Sequence, residues 1–235
     1  MKIIFYGDSL TEGRPGVSFF KNLQAQLEGH ELINYGKGGD TVTSLYQRII
    51  RDDLALPSDL AFLWIGTNDV LAKVSPSIKN YLNPPCARDH EEFADYYKMT
   101  LDALCPKSKK LIAVSPLFIG EDLSNEWNRE LEELANIIRR LSKSHKNTEY
   151  LDLRRIFVKE LASKKPSNYV LKSPVRLMVD LALDSPEKVN KKSAERGLCF
   201  TLDGIHLNGQ GAEIVAHAFY SLVLPENRFA HSINF

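Results

Sequence analysis

Cysteine is scarce and scattered in this sequence. There are three, Cys86, Cys105 and Cys199, far apart, with no Cys-x-x-Cys pair. That excludes a disulfide framework and the usual zinc sites, and it fits a reduced thiol set. An excess of charge of one sign is missing as well: 30 basic residues balance 30 acidic ones. A nucleic-acid binder driven by phosphate neutralisation needs a basic excess, so no nucleic-acid partner is expected. No run of 18 apolar residues occurs, so no transmembrane helix is expected. A first strand beginning at residue 2 or 3 leaves no room for a signal peptide, and the expectation is a cytoplasmic protein. Two familiar motifs fail. The second residue after Ser9 is Thr11, so the Gly-x-Ser-x-Gly elbow is absent. Gly36-x-Gly38 is followed by Thr41 at the sixth position, so the dinucleotide fingerprint is incomplete.

What is present is apolar and alternating. Of the 235 residues, 43% are hydrophobic, enough for a sizeable core in one large α/β domain spanning 1–235. Ile3-Ile4-Phe5-Tyr6 is a continuous apolar run that ends abruptly at Gly7-Asp8-Ser9. Such runs read as strands buried on both faces. Further strands are expected at about 31–35, 60–65, 111–114 and 149–153, separated by helical patterns. Phe19, Phe20, Leu23 and Leu27 mark one helix and Leu45, Ile49 and Ile50 another. Phe93, Tyr97 and Leu101 mark a third, and a long one carries Trp127, Leu131, Leu134, Ile138 and Leu141. Strands alternating with helices mean a parallel sheet covered on both sides. Residues 71–88, with Pro76, Pro84 and Pro85, read as an irregular excursion.

Residues 165–198 break this rhythm and read as an insertion. Ser173-Pro174 is a good helix start, Ser as N-cap and Pro at the first position. Val175, Met178, Val179 and Ala182 share one face, with Leu177 and Leu181 beside it, and Arg176 can pair with Asp180 at i,i+4. This is either an ordinary helix packed on the body or a flap whose apolar side chains form a wall for an acyl chain.

The polar residues at strand ends carry the chemistry. Ser9 falls just past the first strand, where ligands bind in open α/β sheets. It is either a turn cap or a nucleophile awaiting a base. A backbone N–H near Gly39 can face a ligand, or the loop can be a phosphate-binding turn. Asn68, after the third strand, is either an Asx-turn or an amide donor to an oxyanion. Asp203 and His206 are three apart, so a helical turn puts both on one side. That spacing suits a carboxylate that orients an imidazole. It also suits a helix cap, or two metal ligands without a third. His30, His90, His145, His217 and His231 have no such setting and read as surface or packing residues.

Gly7-Asp8-Ser9-Leu10, Gly39, Gly66-x-Asn68-Asp69 and Asp203-x-x-His206, in that order, closely resemble the SGNH, or GDSL, hydrolase superfamily. The resemblance spans nearly the whole chain. It implies a flavodoxin-like, three-layer α/β/α sandwich around a parallel sheet of about five strands. It implies Ser9 as nucleophile, His206 as general base and then acid, and Asp203 as its orienter. The oxyanion hole is then the Ser9 N–H, the Gly39 N–H and the Asn68 side chain, with Asp8 and Asp69 in support. No metal and no cofactor are expected. The activity implied is that of a serine esterase acting on a small-molecule carboxylic ester through an acyl-enzyme. Thioesterase, lysophospholipase and sugar deacetylase are alternatives within that chemistry. A non-catalytic flavodoxin-like ligand binder is the alternative outside it.

Overall fold

The computed structural model describes residues 1–74, 77, 80 and 83–224; Pro76 and His231 lie outside the described residues. Five parallel strands form one sheet: β1 (Lys2–Gly7), β2 (Glu31–Gly36), β3 (Ser58–Trp64), β4 (Ser108–Val114) and β5 (Thr148–Leu151). Their order is β2-β1-β3-β4-β5. This is the flavodoxin-like α/β fold expected from the resemblance. The chain leaves β1 outward to β2 and then crosses back to β3, so the order reverses between β1 and β3. Ligands bind outside the carboxyl ends of strands at such a switch point. Pairing runs in register from Ile3↔Leu60 to Gly7↔Trp64, so β1 and β3 end level there.

Ten helices were found among the described residues: α1 (Ser9–Glu12), α2 (Phe19–Gln26), α3 (Val42–Arg51), α4 (Thr67–Val74) and α5 (His90–Leu104), then α6 (Glu126–Ser142), α7 (Leu153–Leu161), α8 (Pro174–Leu181), α9 (Pro186–Glu195) and α10 (Gly209–Val223). They cover both faces of the sheet, as strand alternation dictates. Ile3, Phe5, Leu60, Phe62 and Trp64 pack with Phe19 and Phe219 of α2 and α10. Ile4, Tyr6, Ala61 and Leu63 pack with side chains of α3, α5 and α6. Phe62 stacks on Phe5 at 4.9 Å and on Phe219 at 4.5 Å between centroids. Each such fully buried side chain contributes about 1.5–3 kcal/mol. The sheet is thus a stiff plate, and what its strand ends carry is held by two cores at once.

Three local readings are corrected. Ile50 is 58% exposed, because α3 buries Val42, Leu45 and Ile49 instead. Asn68 and Asp69 lie in the first turn of α4 rather than in an isolated turn, since the helix starts directly where β3 ends. On α8 the apolar stripe faces outward: Val175, Met178 and Val179 are 72%, 54% and 56% exposed. Leu177 and Asp180 are the buried side chains of that helix. Asp180 does not pair with Arg176 but with Arg196, both of its oxygens accepting from the guanidinium at 2.8 Å. That bidentate geometry, with three turns of chain between the partners, satisfies a buried carboxylate better than an exposed i,i+4 contact can.

Candidate active site

Ser9 is placed by a backbone that only glycine allows. A Cβ on Gly7 would stand 2.2 Å from Thr11 Oγ1 and 2.3 Å from the Trp64 carbonyl oxygen. With no side chain there, the chain turns tightly off β1 into α1. Asp8 caps that turn, its Oδ1 accepting from the Leu10 N–H at 2.9 Å. Ser9 is the first residue of α1 and 8% exposed. A backbone N–H at that position has no partner within its own helix.

His206 arrives from the far end of the chain. Its Nε2 lies 3.0 Å from Ser9 Oγ, and its Nδ1 lies 2.7 Å from Asp203 Oδ2. The other Asp203 oxygen accepts from the N–H groups of Ile205 at 3.0 Å and His206 at 2.8 Å. Asp203 therefore holds both the ring and the backbone of His206. The Asp203 side is closed, with Asp203 fully buried and His206 5% exposed. The serine and histidine segments are also tied directly, the Val17 N–H donating to the Leu207 carbonyl at 2.8 Å.

Gly39 and Asn68 face the same strand ends. Gly39 has φ of 81°, the left-handed region that glycine adopts at no steric cost. Among the described residues its N–H meets no acceptor. One proton of the Asn68 amide goes to the Asp40 carbonyl at 2.9 Å, leaving the other for a ligand. The loop between them is fixed by Asp69 and by two groups the sequence did not single out, Arg48 and Glu12. Arg48 donates to Asp40 Oδ2 from Nε at 2.9 Å and from Nη2 at 2.7 Å, and Nη2 also reaches the Tyr35 carbonyl at 2.7 Å. Glu12 Oε2 accepts from the Gly38 N–H at 2.6 Å. Asp69 accepts from the Val42 N–H at 3.1 Å and 3.3 Å, so α4 is stitched to the start of α3.

The electrostatics follow from burial and pairing. Burial works against the His206 cation, but the Asp203 charge and hydrogen bond outweigh it, with Asp8 and Asp180 adding, and the pKa is raised above its ordinary value. Burial works against the Asp203 carboxylate too, yet His206 and the two backbone donors hold it below the usual range. For Asp8 and Asp69 burial outweighs the backbone hydrogen bonds and the charges of His206 and Lys73 that favour ionisation, and it pushes each up to about 7. A neutral imidazole between a hydroxyl and an ionised carboxylate can take the hydroxyl proton and keep the resulting charge paired.

The other expected residues fall elsewhere. His90, on the surface, lies 3.1 Å from Glu130, and His145, largely covered, lies 3.0 Å from Asp102. Among the described residues no three His, Cys, Asp or Glu side chains gather where a metal ion would be held. None of the described helices is long and apolar enough to cross a membrane. A groove of about 320 Å³ lies over α8 and α9, lined by Tyr169, Arg176, Val179, Lys192, Glu195 and Arg196, with neither Ser9 nor His206 in its wall. Segment 165–198 instead touches the site from behind. The Leu171 N–H donates to the Asp203 carbonyl at 2.9 Å, and Arg196 Nη1 to the Leu202 carbonyl at 2.9 Å.

Known proteins share this layout. An acetylxylan esterase of Geobacillus stearothermophilus is 22% identical over 188 residues, covering 71% of this chain and 82% of that protein. The crystal structure of an acetyl xylan esterase, AlAXEase, is 26% identical and superposes with a TM-score of 0.66, covering 95% of this chain and 100% of that one. The crystal structure of the Geobacillus enzyme Axe2 is 20% identical with a TM-score of 0.65, covering 97% and 94%. Catalytic mutants of Axe2 carry alanine in place of a serine, an aspartate or a histidine. The family described as GDSL-like Lipase/Acylhydrolase matches residues 5–214, which takes in the end of β1, the other four strands and all four sequence blocks. With that span matched, the chain belongs to the GDSL-like lipase/acylhydrolase family and is an ester hydrolase of the GDSL type.

Proposed function

We propose that the protein is a serine esterase that removes acetyl groups from carbohydrate hydroxyls through an acyl-enzyme. The observation that carries this reading is the continuous chain of Ser9 Oγ, His206 Nε2, His206 Nδ1 and Asp203 Oδ2, with steps of 3.0 Å and 2.7 Å. Ser9 Oγ gives its proton to His206 Nε2 as it attacks the ester carbonyl. The oxyanion that forms takes hydrogen bonds from the Ser9 N–H, the Gly39 N–H and the free proton of the Asn68 amide. Collapse of this intermediate expels the alcohol, which leaves with the proton held on His206. Water then enters, gives a proton to His206 and attacks the acyl-enzyme, and the second collapse releases the acid as His206 returns that proton to Ser9 Oγ. Asp203 keeps the imidazole in one tautomer throughout.

The likeness to acetylxylan esterases supports acetyl as the acyl group and a sugar hydroxyl as the alcohol. The test is a fluorophosphonate label followed by a substrate panel. Label on Ser9, absent in Ser9→Ala, with acetylated xylo-oligosaccharide cleaved faster than longer-chain esters, thioesters or lysophospholipid, is the expected result. Unimpaired turnover in a pure Ser9→Ala preparation overturns the mechanism. Preference for a thioester or lysophospholipid overturns the substrate class alone.

A further inference from the structure

Glu121 takes no part in the chemistry above, yet it is 2% exposed and its carboxylate is saturated. Its Oε1 accepts from the Phe200 N–H at 2.8 Å, the Thr201 N–H at 2.8 Å and Thr201 Oγ1 at 2.7 Å. Its Oε2 accepts from the Cys199 N–H at 2.6 Å. All four donors belong to three consecutive residues just before Asp203. Those residues form one arm of a closed loop. The Leu202 N–H donates to the His206 carbonyl at 2.7 Å, and the Asn208 N–H to the Phe200 carbonyl at 3.0 Å. Thr201 Oγ1, which donates to Glu121, accepts in turn from the Gly204 N–H at 3.2 Å. Asp203 and His206 sit at the tip of this loop.

The segment that carries Glu121 is itself clamped. Asn128, buried at the start of α6, accepts from the Ile119 N–H at 3.1 Å and donates to the carbonyls of Ile119 at 3.1 Å and Gly120 at 3.2 Å. Arg154 donates to Asn128 Oδ1 at 3.2 Å and to the Leu117 carbonyl at 2.8 Å. The Gly120 N–H donates to the Gly204 carbonyl at 2.7 Å, beside Asp203. A rigid platform therefore reaches the loop through the Glu121 side chain, beside the Gly120 N–H. Hydrogen bonds to a carboxylate are shorter and stiffer than neutral ones. An amide of the same shape would also turn its own N–H groups toward at least one of the four donors.

We infer that Glu121 is a positioning residue: it sets the arm at 199–201 so that the tip of the loop holds His206 at bonding distance from Ser9. The inference rests on the Ser9, His206 and Asp203 reading given above. A displacement of about 1 Å at a reacting group can cost about a hundredfold in rate.

The experiment compares Glu121→Gln and Thr201→Val with wild type in three measurements: melting temperature, kcat and KM on an acetyl ester, and the downfield proton resonance of His206 Nδ1–H bonded to Asp203. In Glu121→Gln, kcat is expected to fall about a hundredfold with KM unchanged, and the resonance to shift or broaden in folded protein. Thr201→Val keeps the shape but removes one donor to Glu121 and the acceptor of the Gly204 N–H, so it changes the same quantities in the same direction. Variants that only melt earlier, with kcat per folded molecule and the resonance at wild-type values, overturn the inference. Should Glu121→Gln fail to fold, Thr201→Val decides alone by the same two readouts. Turnover surviving in Ser9→Ala would reject the serine mechanism instead, and the resonance would still report whether Glu121 holds the Asp203 and His206 pair.

Discussion

In the proposed mechanism His206 is the base, held against its own burial by Asp203, and this sets predictions at the scale of single residues. The imidazole must be neutral to accept the serine proton, and Asp203 raises its pKa. Hence kcat/KM should rise with pH along a limb centred above the ordinary value of 6.5. Asp203→Asn removes the raising charge, so the limb should move to lower pH. It also frees the wrong tautomer, so kcat should fall by about 10⁴. A pH profile of both proteins checks each part. Asn68→Ala removes one of the proposed oxyanion donors and should cost roughly 10²–10³ in kcat with little change in KM, measured by steady-state kinetics. These residues were legible because each stands beside a strand end or a short-range spacing that announces it. Glu121, Arg48 and Arg154 were not. Glu121 reaches donors 78–80 positions away, and a lone acid in a loop carries no local sign of such a partner.

At the scale of elements, α8 shows how periodicity identifies a helix without telling which face is buried. Its apolar residues lie together in sequence, but the neighbours that matter are Leu177 and the Asp180 pair with Arg196. Burial of that pair inverts the ordinary rule that the apolar stripe turns inward. Asp180→Ala should strand the Arg196 cation and cost about 3–5 kcal/mol, seen as a marked fall in melting temperature. Met178→Ser and Val179→Ser, on the exposed side, should change stability by about 0.5 kcal/mol or less and leave the acetyl-to-hexanoyl rate ratio unaltered. Thermal melts and that ratio, measured on the same proteins, test both statements. The helix α4 was hidden for another reason. It begins at Thr67, with only Ile65 and Gly66 after the last residue of β3, so no polar spacer separates the two patterns. The helix α7 went unread as well: Leu153, which opens its buried face with Phe157 and Leu161, reads in the sequence as the end of the fifth strand, which stops at Leu151.

Over the whole molecule, the parallel sheet was legible because its inner strands are continuous apolar runs, whereas strand order is a property of long-range packing that no local pattern records. The sheet collects Asp8 and Asp69 at the same edge and buries both, pushing each from an ordinary 3.8 to about 7. For Asp69 the folded protein keeps a proton over that interval while the unfolded chain releases it. Stability from this group is therefore fully present below its unfolded value and is lost as pH rises through about 7. Asp69→Asn cannot ionise. Its melting temperature relative to wild type should climb from pH 5 to pH 8, by an amount on the order of a few kcal/mol in stability. A difference that stays constant across that range would refute the assignment.

The partners Ser9 and His206 are separated by 197 residues. A ribosome adding about 5–20 residues per second needs roughly 10–40 s to make that length. During this interval the serine emerges with no imidazole to activate it. The growing chain is chemically silent toward esters until the segment carrying Asp203 and His206 has been synthesised and docked against the sheet. Esterase activity appearing on stalled ribosomes should therefore switch on with chain length, as a step rather than a ramp, and so serve as a clock for the completion of folding.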